Sequence, residues 1–299
     1  MEKGFTNKVF MVRPASFGMN PETAETNAFQ SKIKFDSAQR ISEKAKTEFD
    51  NAVEKLRTFG IAVQVFEDTL KPIKPDAVFP NNWVSTHPSK QVFIYPMLVP
   101  NRQVEVREDV LKSFNNVDVF DLRKDAKGVL EGTGSLVIDH ASEIIYFCHS
   151  ERTDKKLAEK VAKYLGFTIC GFHSTDHQNN LVYHTNVVMF VMQGLVGIGL
   201  ETIKGDQDRE LVLKTIKSSG KELLELSYYQ ITQFAGNMIQ LETNQGNPVL
   251  VCSETAWKSL DESQKEKIES KSKVCTLSIS TIELYGGGSA RCMIAEIFV

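Results

Sequence analysis

No pair of cysteines in this chain is spaced C-x-x-C. The five present, Cys148, Cys170, Cys252, Cys275 and Cys292, are an odd number in a long chain. That argues against a disulfide framework and for a reducing, cytoplasmic setting. An excess of one charge is lacking too. Lys and Arg number 35 against 38 Asp and Glu, mixed along the chain for a net −3. No basic stripe is left to bind nucleic acid or an anionic membrane. The longest apolar stretch, LVYHTNVVMFVMQGLVGIGL, is interrupted by His184, Asn186, Gln193 and three glycines. It is too polar to span a bilayer. The opening MEKGFTNKVF does not read as a signal peptide.

What is present is ordinary for a soluble globular protein: 41% hydrophobic and 24% charged residues. A length of 299 residues leaves one large domain and two smaller ones both open. A repeat decides between them. FPNNWVST, EGTGSLVID, YHTNVVMFV, FAGNMIQLE and GGSARCMIAEI each join a small or polar cluster to a strand-like run. Asn82, Gly134, Asn186, Asn237 and Cys292 mark the clusters at intervals of 52, 52, 51 and 55 residues. A near-constant period of that size signals a repeat architecture.

Helical spacing lies between the clusters: Ile41, Ala45, Phe49, Val53 and Leu56, then Val106, Val110 and Phe114, then Leu157, Val161 and Tyr164. Leu211 and Ile216 mark a fourth helix, and Trp257, Leu260 and Ile268 a fifth. β-rich runs such as VFMVR, AVQVF and QVFIYPM precede or follow them. Each unit reads as ββαβ. Five units placed radially predict a single α/β domain over 1–299, a five-bladed pseudo-symmetric propeller around a central channel. The clusters would then converge at one end of that channel.

Three clusters carry reactive side chains: Glu131, His184 and Cys292. A cysteine nucleophile needs a thiolate, which a nearby imidazole supplies or stabilises. The imidazole needs a third group, commonly a carboxylate, to fix its tautomer. Glycines beside Cys292 read as room for a substrate to approach sulfur. Taken singly, a cysteine is more often a small core residue and a histidine more often structural. Their places in one repeat raise the chemical reading.

Four motifs resemble those of the guanidine-modifying superfamily of arginine deiminases, dimethylarginine dimethylaminohydrolases, amidinotransferases and succinylarginine dihydrolases. GGGSARCM is similar to the glycine-rich stretch around the deiminase nucleophile, and EGTGSLV to the segment of the acidic residue. YHTN is similar to the H-x-D segment, and HSERTD to an S-x-R-T-N segment whose arginine binds a substrate carboxylate. FPNNW extends the likeness into the first half. The likeness is nearest to bacterial amidinotransferase-like proteins proposed as citrulline-utilisation hydrolases.

The resemblance implies the five-unit α/β-propeller. It also implies Cys292 as nucleophile, His184 as general acid and base, Glu131 as its partner, and no metal or cofactor. The implied reaction passes through a covalent adduct of Cys292 with a guanidino or ureido carbon. The implied partner is a small amino-acid-like substrate; a homodimer is left open.

The chain departs from the deiminase pattern where two aspartates would hold a guanidinium. Asn82 and Asn186 stand there instead, with Asn81 as a neighbouring candidate. Neutral amides suit a neutral ureido group better than a cation, because charge-assisted pairs are about twice as strong. A citrulline-like substrate is therefore expected, unless Asp76 restores a negative charge. Arg152 is the expected carboxylate ligand. Arg102 is a second candidate, and Arg291 either contacts substrate or buttresses the nucleophile loop. CGFHSTDH gathers Cys170, His173, Asp176 and His177 without the paired spacing of a zinc module, so a polar loop is expected. The stretch SFGMNPETAETNAFQ is a candidate lid. Alternatives are an amidinotransferase, an arginine deiminase or dimethylargininase, and, from another class, a non-catalytic propeller binding protein.

Overall fold

Short, mostly buried apolar runs build fifteen strands among the described residues, and they group five times in the same way. The structure is a computed structural model describing residues 4–23, 27, 29–30, 36–124 and 127–299. The first group begins with β1 (Lys8–Arg13), α1 (Ala38–Thr58) and β2 (Ala62–Glu67). The second has β3 (Val84–Thr86), β4 (Gln91–Ile94), the short helices α2 (Pro100–Gln103) and α3 (Glu108–Lys112), and β5 (Asp118–Asp121). The third has α4 (Gly132–Ser135), β6 (Leu136–Asp139), β7 (Ile144–Cys148), α5 (Lys155–Leu165) and β8 (Thr168–Phe172). The fourth has α6 (Thr185–Val188), β9 (Met189–Met192), β10 (Leu195–Ile198), α7 (Asp206–Ser218) and β11 (Glu222–Glu225). The fifth follows α8 (Tyr228–Thr232) with β12 (Ile239–Glu242), β13 (Pro248–Ser253), α9 (Glu254–Ser259), α10 (Glu262–Glu269) and β14 (Lys273–Leu277). Then α11 (Ser280–Gly286) leads to β15 (Ala295–Glu296).

β15 pairs antiparallel with β1, Phe10 opposite Ala295, so the first sheet is made from both ends of the described chain. Every sheet has three strands. Its central strand pairs antiparallel on one side and, across a helical crossover, parallel on the other. The fold is thus α/β, with one small sheet per repeat.

Side chains between the sheets form four apolar clusters. One joins the first and second sheets through Phe10, Trp83 and Val92. Another joins the second and third through Phe93, Leu136 and Phe147. The largest joins the third, fourth and fifth through Phe172, Phe190 and Leu250. The last joins the fifth to the first through Val9, Phe49, Val251 and Leu277, and it includes Cys292.

The expected helices are found with three differences. α1 buries Ile41, Ala45, Phe49, Val53 and Leu56 on one face, with Ser37 accepting from the Arg40 N–H as its N-cap. The run marked by Val106, Val110 and Phe114 makes only the five-residue α3. Asn116, at φ 54, takes the left-handed turn that follows. Trp257 and Ile268 lie on separate helices, because Asp261 caps α10 and stops continuation from α9. Leu211 faces outward, and Val212 joins Ile216 inside. No helix of the described residues is long and apolar enough to cross a membrane.

Candidate active site

In each sheet the strand antiparallel to the central one follows the same tight turn. A backbone N–H bonds to the carbonyl three residues back: Asn82 to Phe79, Gly134 to Glu131, Val187 to His184, Asn237 to Phe234, and Cys292 to Ser289. Glu131 and His184 therefore open their turns, whereas Cys292 closes its own, as Asn82 and Asn237 do. The register falls on Val187, one residue past Asn186.

The turns are stitched together. The Asn82 amide reaches the Glu131 carbonyl at 3.5 Å, and the Thr133 hydroxyl bonds the Asn81 carbonyl at 3.2 Å. The Asn237 amide donates to the Asn186 carbonyl at 2.9 Å, and the Arg291 N–H donates back to Asn237 Oδ1 at 3.1 Å. Gly134 is required here. A Cβ on it would lie 2.3 Å from Asn82 Nδ2 and 2.8 Å from the His184 ring.

Glu131 is fully buried and holds His184. His184 Nε2 lies 2.7 Å from Glu131 Oε2, and Leu98 N–H donates to Oε1 at 3.1 Å. Burial pushes the Glu131 carboxyl up, but Arg152, His184 and Arg102 outweigh it and hold it well below the usual carboxylate range. Burial pushes His184 down to about 4, only partly offset by Glu131. At neutral pH the imidazole is therefore uncharged. Glu131 accepts from Nε2–H, which leaves Nδ1 as the basic nitrogen.

Cys292 is also buried. Its Sγ receives Asn237 Nδ2 at 3.2 Å and Asn186 Nδ2 at 3.6 Å. Burial pushes the thiol up, against the pull of the Ser289 backbone, Asn237, Arg291 and Asn186. The thiol is therefore the resting form. Ser289 is fixed in turn by Glu283, which accepts its hydroxyl at 2.6 Å.

The two arginines sit beside Glu131. Arg152 Nη1 lies 3.3 Å from Glu131 Oε2, and its guanidinium stacks 4.8 Å over the Tyr183 ring. Arg102 is not solvated at the surface. It forms a two-pronged pair with Glu105 at 2.9 and 3.0 Å, and Nη1 donates to Asn82 Oδ1 at 2.9 Å. Asp76 is buried nearby, 3.8 Å from Arg102, with Asn20 donating to Oδ2 at 2.7 Å. Burial pushes the Asp76 carboxyl up against the pull of Arg102. Asp76 Oδ1 and Asn186 Oδ1 are buried with no hydrogen-bond partner among the described residues.

Several expectations are corrected. The space that the glycines before Cys292 leave is occupied by the Phe79 ring. A Cβ on Gly286 or Gly288 would strike the Phe79 ring at 2.7 or 2.9 Å, and Gly287, at φ 65, ends α11. Asn82 does not present both of its polar groups, because Arg102 takes the carbonyl. Arg291 buttresses: its guanidinium bonds the Ile294 carbonyl and Glu296 at 2.9 and 3.1 Å. Around CGFHSTDH the side chains diverge. His173 pairs with Asp208 at 2.8 Å, Asp176 caps a turn, His177 stacks on Tyr228, and Cys170 is buried.

In the candidate lid, Ala24, Glu25, Thr26 and Ala28 lie outside the described residues. Its described part is tied inward: Asn27 and Gln30 donate to the carbonyls of Gly286 and Tyr285 at 3.3 and 2.8 Å. Residues that the sequence did not single out for chemistry are Tyr183, Asn20, Glu105 and Asn237. Only Asn237 left a signal, its place in the repeat.

A family profile described as "N,N dimethylarginine dimethylhydrolase, eukaryotic" matches residues 13–299. No curated protein matches. Among solved structures, apo ArgZ, an arginine dihydrolase of the cyanobacterial ornithine-ammonia cycle, superposes with a TM-score of 0.75 at 17% identity. The alignment covers 96% of this chain and 40% of ArgZ. The N-terminal domain of ArgZ in complex with substrate gives 0.73 at 17% identity, covering 98% of this chain and 99% of that domain. DDAH from Pseudomonas aeruginosa, complexed with citrulline, gives 0.70 at 14% identity, covering 98% and 100%. The structural likenesses bear on the fold; the profile, spanning nearly the whole chain, decides kinship. The chain belongs to the N,N-dimethylarginine dimethylhydrolase family, within the guanidine-modifying superfamily.

Proposed function

We propose that the chain is a cysteine hydrolase cleaving a C–N bond in a small amino acid with a ureido or guanidino group. Cys292 is the nucleophile, His184 the acid and base, and Glu131 its orienting partner. Family membership supports a hydrolase of arginine-like compounds. The carrying observation is the Glu131–His184 pair at 2.7 Å, which leaves a neutral Nδ1. His184 takes the thiol proton as sulfur attacks the planar carbon, then delivers it to the departing nitrogen. Water, deprotonated by the same nitrogen, releases the carbonyl group from sulfur. An amine in place of water would make the same adduct a transferase intermediate.

A citrulline-like substrate is the favoured reading, and Asn82 carries it. Arg102 can only donate, so it pins the Asn82 carbonyl and fixes the orientation of the amide. Nδ2 is then the group that lies against Gly134 and His184. An N–H donor complements a ureido oxygen, whereas a guanidinium offers only N–H groups. Asn186 Oδ1, buried and open, would accept a ureido N–H. Citrulline would yield an amine, ammonia and carbon dioxide.

One observation favours a guanidino substrate instead: the open Asp76 Oδ1, a buried carboxylate oxygen. ArgZ and AgrE, which superpose with this chain, were crystallised with their substrate and with L-arginine respectively. Ammonia release from citrulline and from arginine decides between the two. Faster release from arginine would reverse the assignment. The mass of protein quenched with substrate separates a carbamoyl adduct on Cys292 from an amidino one, and no adduct would favour a binding protein.

The five sheets are read here as blades of one propeller. The apolar clusters that link each sheet to the next, and the fifth to the first, support that ring. Arg152 and Arg102 remain the proposed carboxylate ligands, because a guanidinium grips a carboxylate bidentately.

A further inference from the structure

We propose that Asn237 is the donor that fixes the Cys292 sulfur and stabilises its thiolate. The inference rests on Cys292 being the nucleophile and extends that reading to a residue in another repeat unit.

Three contacts determine what the Asn237 carboxamide does. Its Oδ1 accepts the Arg291 N–H at 3.1 Å, so Oδ1 cannot be the atom turned to sulfur. Its Nδ2 donates to the Asn186 carbonyl at 2.9 Å and to Cys292 Sγ at 3.2 Å. One amide thus holds the peptide preceding the nucleophile, the chain of the neighbouring turn, and the reacting atom. The side chain is buried, and its own turn is closed by the 2.8 Å bond from Asn237 N to Phe234 O.

Among the described residues no cation hydrogen-bonds the sulfur, and Arg291 favours its anion only from a distance. Arg102 is engaged with Glu105 and Asn82, Arg152 lies against Glu131, and the Arg291 guanidinium is held by Ile294 and Glu296. His184 is neutral. Among the described side chains, Asn237 and Asn186 hydrogen-bond the sulfur, the Asn186 contact being the longer at 3.6 Å, and the Ser289 backbone adds to their pull. A hydrogen bond to sulfur strengthens when sulfur becomes anionic, so the donor lowers the cost of thiolate formation. A neutral donor does so without leaving a permanent ion pair beside an incoming substrate.

The test is the pH dependence of iodoacetamide alkylation at Cys292, read peptide by peptide by mass spectrometry. It needs no substrate, so it is independent of which compound the enzyme takes. Asn237→Ala should move the alkylation midpoint up by about one pH unit, slowing alkylation about tenfold at pH values well below it. Asn186→Ala should move it less, as its longer contact requires. An unmoved midpoint in Asn237→Ala, with only the melting temperature lowered, would reduce Asn237 to a structural role. A larger shift in Asn186→Ala would transfer the role to Asn186. If Asn237→Ala does not fold, Asn237→Leu, close in volume and likewise without a donor, is read by the same criteria. Wild-type protein whose Cys292 resists alkylation at every pH would overturn the nucleophile assignment and this inference together. Normal alkylation with no mutant shift would overturn this inference alone.

Discussion

The two halves of the candidate site are built from different materials. Around Glu131 the groups are ionic: Asp76, Glu105 and Glu131 face Arg102 and Arg152 in a dry setting. Around Cys292 the side chains that reach sulfur are neutral, the amides of Asn186 and Asn237. The difference separates two tasks. The ionic half keeps Glu131 charged and His184 neutral and oriented. The neutral half leaves sulfur protonated, and on the proposed function it stays so until substrate and His184 are both in place. Burying charge without partners is costly, so the ionic half should tolerate deletions poorly. A neutral hydrogen bond is worth about 1 kcal/mol, so the other half should tolerate them better.

The largest expected break is on the neutral side and is purely chemical. Cys292→Ser should abolish turnover, by about 10⁴-fold or more, with the melting temperature nearly unchanged. Loss of stability instead would make Cys292 a packing residue. Next comes Glu131→Gln on the ionic side. It should cost about 10²–10⁴-fold in kcat and also about 3–5 kcal/mol of stability, since Arg152 loses its carboxylate. Denaturant unfolding checks the second part; an unchanged midpoint would contradict the ionic reading. Smaller is the effect of Asn82→Asp, which exchanges the fixed donor for an acceptor. It should turn the citrulline-to-arginine ratio of kcat/KM toward arginine by about tenfold or more. No change would place Asn82 away from the substrate carbon.

Acid sets the two halves apart most gently. His184 titrates at about 4 in the fold and near 6.5 unfolded, so between those values the unfolded chain binds more protons. Glu131 is depressed below its unfolded value and acts in the same direction at lower pH. The His184 contribution to stability should therefore be full above about pH 6.5 and be lost as pH drops toward 4. His184→Asn should flatten the upper part of that decline, and equal slopes for both proteins would refute the assignment.

The repeat was legible because every unit repeats one local event. A tight turn is followed by an apolar strand, and this recurs from FPNNW to SARCM. Residue types at those turns sufficed to single out Glu131, His184 and Cys292. Exact register was less legible. Spacing makes Asn186 the equivalent of Asn82, yet hydrogen bonding puts Val187 there, because turn lengths between units vary by a residue or more. The glycines before Cys292 also misled, since nothing local reveals that the distant Phe79 ring fills their space.

By itself the sequence determined the α/β repeat, the period and the three reactive side chains. These follow from local preferences and from patterns along the chain. Only the tertiary structure decided what faces what. It turned the Asn82 amide through Arg102, buried Arg102 rather than solvating it, sent Arg291 toward Glu296, and placed Asn237 on sulfur. The Asn82 and Asn237 outcomes depend on contacts between residues 20 and 55 positions apart, and all depend on burial that makes each unpaired polar group costly. No local signal encodes either.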